Sequence, residues 1–460
     1  MYMKLKYSKS EVYIMDLLIK NGILVTHEGS QKADVVVTDG KVTALMENAS
    51  LIVEREVKKV IDANGLYILP GCIDPHVHFR DPGHTHKEDF ATGSAAAVAG
   101  GFTTVYDMPN NNPKIQGIEE LKEKLSVISD RSHVDYALYA IIKPDNLDKL
   151  HGLIENGVRG FKVMMGKSSM NTPTADDASL WSALKTLRET ECPITVHAED
   201  TNICAIEKER LFKENRKDPR AHMESRPVIA ETIAIQRAIM LAEDTGGRLH
   251  IAHISAGKSV EIIRSAKQRG VKVTCETGPH NLIFTDEDYE EKGAAMFVNP
   301  PIRLKGDRDA LLAGILDGTV DMIATDHAPH TFEDKYASGH VLKSISGFLG
   351  LEASIPIMLT LVNQGKLTLE QYVNLSSVNP AKLFNLFPQK GCIAVGSDAD
   401  FTIVDMEKET VIDKELHQSK TKITPYDGMK VKGMPVYTII RGNIAMEDGI
   451  VTPKKYGKHV

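Results

Sequence analysis

From Leu17 to Ala63, short runs of Val, Ile and Leu alternate with polar positions, as in "DLLIKNGILV", "ADVVVTDGKVTAL" and "REVKKVIDA". A period of two marks half-buried strands, and the interposed Asn-Gly and Asp-Gly pairs predict tight hairpins. From about Leu66 the pattern changes. Apolar runs of strand length ("LYILPGCIDPHVH", "TTVYDM", "VDYALYAII", "VRGFKVMM", "PITVHA", "RLHIAHIS", "VKVTCETG" and "VDMIATDHA") alternate with stretches of helical period such as "GIEELKEKLSVI" and "AETIAIQRAIMLAEDTG". Eight strand–helix units are the count of a (β/α)8 TIM-like barrel, an α/β fold. A doubly wound open sheet is the alternative, and no Gly-rich phosphate loop follows any of these strands.

After Lys390 the strand pattern returns in "KGCIAVGSDADFTIVD" and "YTIIRGNIAMEDG". The flanking segments 1–66 and 389–460 are therefore expected to pair into a small β-sandwich domain beside a barrel spanning 67–388, since closing such a loop costs only modest entropy. Met1 to Tyr13 reads as a frayed extension, and Thr331 to Ser346 as a mobile substrate loop at the barrel mouth, with a fixed turn as the alternative.

Composition narrows the class. The 460 residues are 42% hydrophobic and 25% charged, ordinary for a globular chain. A net charge of −7 and a pI near 6.2 exclude the basic face that nucleic acid requires. The five cysteines include no C-x-x-C, which argues against a disulfide framework or thiolate zinc site and for a reducing cytosol. No signal peptide is expected, nor any membrane span, because no run approaches ~20 apolar residues. The expectation is a cytoplasmic protein acting on a small molecule, with neither nucleic acid nor membrane as partner.

The polar residues at the predicted strand ends carry the chemistry. His76 and His78 end strand one in "DPHVHFRDPG"; alternate residues of a strand face one way, so both imidazoles converge, a pattern suited to zinc and similar metals. Asn110 follows strand two, Lys162 lies in strand four, His197 and His253 end strands five and six, and Asp326 ends strand eight. C-terminal strand ends of a barrel meet at one mouth, where active sites sit. Lys162 has two readings: an ion pair with Glu199 or Asp326, or an amine that has captured CO₂ and bridges two metals as a carbamate. Asp326 could bind metal and still serve as the general base that later protonates a leaving amine. His280, in "CETGPHNL", reads as a packing or supporting histidine, and His84 and His86 as solvated loop residues.

These residues, with "TDHAPH", "SVNPAKLF" and "KGCIAVGSDADFTIVD", resemble the amidohydrolase superfamily over essentially the whole chain, and most closely its cyclic-amidohydrolase branch of dihydroorotases, allantoinases and hydantoinases. The resemblance implies a hydrolase with two Zn²⁺ ions, bridged by carboxylated Lys162 and a hydroxide. The metals would be held by His76, His78, Lys162, His197, His253 and Asp326, with Asp326 catalytic. Their donor types also suit Mn²⁺, Co²⁺ or Fe²⁺. The resemblance further implies a homo-oligomer, a dimer or tetramer.

Four stretches are similar to dihydroorotases in particular: "HFRDPG" with Arg80, "MPNNNP" with Asn110, "VNPPIR" with Asn299 and "DHAPH" with His330. They imply substrate contacts from those four residues and the interconversion of N-carbamoyl-L-aspartate and L-dihydroorotate in pyrimidine (UMP) synthesis. A guanidinium fork matches a carboxylate bidentately, which would explain a cation beside a metal site. The competing reading of Arg80 is a salt bridge with Asp81 or Glu88, and of Asn299 a turn residue before two prolines. "GHTHKEDFATG" and "HMESRPVIAE" are shared with allantoinases, and some dihydroorotases carry Asp in place of Lys162. An allantoinase or hydantoinase acting on an uncharged cyclic ureide is the alternative. A non-catalytic homologue would be expected to have lost metal ligands, and all six are present.

Overall fold

The computed structural model describes residues 15–47, 56–166 and 174–460. The stretch read as a frayed extension, Met1 to Tyr13, lies outside the described residues. The first five strands are β1 (Met15–Thr26), β2 (Gly29–Thr38), β3 (Lys41–Met46), β4 (Val57–Asp62) and β5 (Tyr67–Pro70). Asp39-Gly40 forms the β2–β3 hairpin turn, with φ of 51° and 72°. Asn21-Gly22 is not a turn. It is a bulge inside β1, which there passes from pairing with β4 to pairing with β5.

Eight parallel strands follow: β6 (Cys72–Val77), β7 (Phe102–Asp107), β8 (Asp135–Ile141), β9 (Val158–Met164), β10 (Ile194–His197), β11 (Leu249–Ile251), β12 (Val273–Thr277) and β13 (Met322–Ile323). Each pairs with its sequence neighbour, and the His78 N–H donates to the His327 carbonyl at 2.8 Å, bringing the last strand's extension back to the first. This is the expected (β/α)8 barrel. One face of the strands supplies Val105, Leu138, Val163, Val196 and Ile251 to the core beneath the surrounding helices. Residues of opposite parity, Tyr106, Ala137 and Tyr139, join Ile73, Met322 and Phe384 in a second cluster that fills the barrel.

The chain then returns through β14 (Phe401–Val411), β15 (Lys430–Ile440), β16 (Asn443–Glu447) and β17 (Ile450–Val451). These strands join β1–β5 in one nine-stranded sheet, and Leu17, Val35, Ile68, Phe401 and Ile439 from both chain ends share its core. The run "LYILPGCIDPHVH" thus splits. Residues 67–70 pair with β1 and β14, and the barrel begins at Cys72. Gly71 makes the switch because a Cβ there would lie 2.3 Å from Thr103 Oγ1.

A buried ion cluster joins the two units. Lys390, 2% exposed, sits 2.7 Å from Asp135 of the barrel and 2.5 Å from Asp400 beside β14. Lys390→Met should destabilise the fold by about 3–5 kcal/mol, since it removes the ammonium from buried Asp400 and leaves Asp135 only Arg441 as a cationic partner; urea unfolding measures this, and a loss under about 1 kcal/mol would show that the cluster is solvated. Among the described residues no helix is long and apolar enough to cross a membrane.

Candidate active site

The strand ends deliver the expected side chains to one mouth. His76, His78, Arg80, Asn110, Lys162, His197, His253, Asn299 and Asp326 all line a single cleft of about 440 Å³ empty volume. Four imidazoles run through it in series: ring centroids are 5.2 Å apart from His78 to His76, 5.2 Å from His76 to His253 and 4.9 Å from His253 to His197. Asp326 Oδ1 lies 3.0 Å from His78 Nε2 and 3.5 Å from His76 Nε2.

Local structure places the aspartate. Thr325 anchors to Asp74 through its amide (3.2 Å) and its hydroxyl (2.6 Å), and the His327 amide donates back to Thr325 Oγ1 at 3.0 Å. Between these anchors Asp326 takes a φ of 47°; Arg80 (61°) and His253 (37°) are likewise left-handed. Such conformations cost on the order of 1–3 kcal/mol each and persist where the surroundings over-determine them, as at functional sites.

Two carboxylates behind the histidines set their tautomers. Glu276 accepts from His76 Nδ1, and His76 Nε2 faces Asp326. Glu199 accepts from His197 Nε2 at 2.9 Å and is itself paired with Arg226, so the His197 Nδ1 lone pair faces His253. Carboxylates in this relation to imidazoles orient metal-binding histidines. Burial drives three of the imidazoles towards the neutral, ligand-ready form, that of His78 down to about 3 and those of His197 and His253 also downward. Burial would raise the Asp326 carboxyl, but His76 and His78 hold it well below the carboxylate range.

Among the described residues Lys162 forms no ion pair. Its Nζ is buried with no hydrogen-bond partner among the described residues, and Glu199, one candidate partner, is taken by His197 and Arg226. Burial pulls the amine down to about 8, against the opposing pull of Glu276 and Asp326. An orphaned buried amine costs free energy unless something fills its place. His76, His78 and Asp326 already hold their ligand atoms within 4.8 Å of one another. Neutral imidazoles, an ionised aspartate and an amine able to become a carbamate are a donor set that fits divalent metal.

Arg80 is 3% exposed and bridges neither Asp81 nor Glu88. Asp81 pairs with Arg131, and Glu88 accepts from Thr92. The guanidinium instead approaches His330 Nε2 at 3.2 Å. Burial pushes the His330 imidazole down towards its neutral form; Nε2 faces Arg80, while Nδ1 lies 3.2 Å from the Lys87 ammonium and 3.6 Å from Asp334, which Lys87 also reaches at 2.8 Å. His330 thus acts on the cleft through Arg80, whereas Arg80, Asn110 and Asn299 line it directly. Asn299 Oδ1 is buried without a partner among the described residues. His280 stays out of the lining, edge-on to Phe348 at 5.3 Å, as the packing reading expects.

Glu276, Lys87 and Asp334 were not foreseen. A carboxylate in the middle of the β12 run "VTCET" was the available signal for Glu276, because a fully buried strand rarely carries one unpaired.

Comparison with known proteins agrees with this geometry. Residues 67–445 match the amidohydrolase family model. An L-hydantoinase of Paenarthrobacter aurescens is 37% identical over 97% of this chain and 98% of its own. A dihydroorotase of Geobacter sp. (strain M21) is 38% identical over 95% and 100% respectively, and an allantoinase of Rubrobacter xylanophilus 37% over 97% of each. The solved structure of the L-hydantoinase (dihydropyrimidinase) from Arthrobacter aurescens superposes with a TM-score of 0.93 at 37% identity, covering 96% of this chain and 99% of that one.

Proposed function

The chain belongs to the amidohydrolase family, in the branch of hydantoinases, allantoinases and dihydroorotases, and from that premise we propose that it is a dihydroorotase. It would interconvert N-carbamoyl-L-aspartate and L-dihydroorotate in pyrimidine synthesis. The observation that carries this reading is Arg80: a buried guanidinium lining the cleft, bonded to a histidine and, among the described residues, to no carboxylate. A ring bearing a carboxylate supplies the missing anion.

In this reading His76, His78, His197, His253, Asp326 and a carboxylated Lys162 hold two divalent ions, zinc foremost. When bound, such ions polarise the scissile carbonyl and make water nucleophilic near neutral pH. The chain's own groups do the rest. Arg80 and Asn110 grip the ring carboxylate, His330 fixes the guanidinium, and Asn299 meets the ring from its own part of the lining. Asp326 accepts the proton of the attacking water on a carboxylate oxygen. Water oxygen bonds the ring carbonyl carbon, the ring C–N bond breaks, and Asp326 delivers its proton to the departing nitrogen. In reverse the same groups close the ring.

A second reading, hydrolysis of an uncharged ring, is favoured by the 37% identity to an L-hydantoinase over 97% of the chain. Arg80→Ala separates the two. A charge-assisted hydrogen bond contributes about 1.5–3 kcal/mol, so KM for dihydroorotate should rise roughly 10- to 100-fold. Unchanged KM for dihydroorotate, or an equal rise for hydantoin, would remove the carboxylate grip.

A further inference from the structure

Lys335 lies at the end of the short helix Phe332–Tyr336, in the segment read from sequence as a loop at the mouth. The helix is capped by Thr331 and Asp334, and Lys335 is 1% exposed. Its side chain turns inward, and Nζ faces three backbone carbonyls: Ala294 at 2.8 Å, Ile345 at 3.3 Å and Phe297 at 3.5 Å. An ammonium has three N–H donors and no lone pair, so three acceptors match it completely.

The carbonyls belong to two segments remote in sequence. Phe297 leads into Val298 and Asn299, and Ile345 leads into Ser346 and Gly347; all four of those followers line the cleft. The Gly347 amide also donates to the Phe297 carbonyl at 2.8 Å, beside the ammonium. The ammonium therefore lies at the seam between these two stretches of the cleft wall. A methyl-ended side chain of similar length would fill the space but remove the tie: Phe297 and Ala294 would keep their backbone donors, Gly347 and Phe297, while the Ile345 carbonyl would lose the ammonium, at a cost that falls on the wall rather than on the barrel. Burial pulls the amine down to about 7, and Asp334 opposes that pull.

We infer that Lys335 is a positioning residue, a buried ammonium that ties segments 297–299 and 345–347 together and so fixes where Asn299 and Ser346 meet the substrate. This rests on the cleft being the place where a ring amide is hydrolysed. The test is Lys335→Met, followed by kinetics per metal-loaded site and by peptide-level deuterium exchange. Displaced positioning groups should raise KM by about tenfold or more, with kcat per site changed far less. Exchange should rise in peptides covering 294–299 and 343–348 and stay unchanged in the barrel strands. A lower Tm or active fraction with unchanged KM and unchanged exchange in those peptides would overturn the inference. If the variant does not fold, the wild-type protein decides. A Gly347 amide protected like the barrel strands supports the tie, and one exchanging like an open loop refutes it. If wild-type protein hydrolyses no cyclic amide, the functional reading fails while the exchange result still judges the tie.

Discussion

Asp326→Asn should lower kcat by about 10²–10⁴-fold, which corresponds to roughly 3–5 kcal/mol of lost transition-state stabilisation. The substitution keeps shape and removes the proton acceptor. Asp326 is held ionised by His76 and His78 and fixed in a left-handed backbone conformation between the Thr325 and His327 anchors. Asparagine fits that backbone, since it tolerates the left-handed region, so loss of fold is not the expected outcome. KM should change little, because the carboxylate clamp stands elsewhere, on Arg80. Metal content measured beside the kinetics separates two causes. Full metal with lost turnover assigns the proton transfer to Asp326, and lost metal assigns it a ligand role first. Retention of more than about a tenth of kcat would remove it as the base.

Lys162→Ala should abolish bound metal and turnover together, a loss of roughly 10³-fold or more. Carbamate formation joins the neutral amine to CO₂ and releases a proton, so it needs an amine that has lost its charge. An ordinary lysine near 10.4 offers about one neutral amine in a thousand at pH 7.5, whereas one pulled down to about 8 offers roughly a quarter. The absence of any hydrogen-bond partner for Nζ among the described residues leaves it open to CO₂. Carbon-13 NMR after equilibration with labelled bicarbonate should show a carbamate signal in wild-type protein and none in Lys162→Ala. Wild-type protein that holds metal and turns over without that signal would refute the carbamate.

The barrel and the residues at its mouth were legible because the signals are local. His-x-His on one strand, a lysine inside "GFKVMMG" and an aspartate after "IAT" each stand out against apolar neighbours that belong in a packed interior. What was not legible depends on partners far apart in the chain. Glu276 supports His76 from 200 residues away, and Lys335 makes sense only once residues 294–297 and 345 are beside it. The Asn21-Gly22 bulge has the same composition as a hairpin turn. Only the need of β1 to change partners distinguishes it, and that need arises from β4 and β5. Arg80 lies between the two cases: its spacing from the histidines marked it, but the contact with His330 spans 250 residues.

The most direct test of the central claim is a turnover assay of zinc-loaded protein with L-dihydroorotate, allantoin, hydantoin and dihydrouracil side by side. The account predicts that dihydroorotate has the highest kcat/KM, by at least about tenfold over every neutral ring, because only it presents a carboxylate to Arg80. A higher kcat/KM for hydantoin, allantoin or dihydrouracil than for dihydroorotate would contradict it.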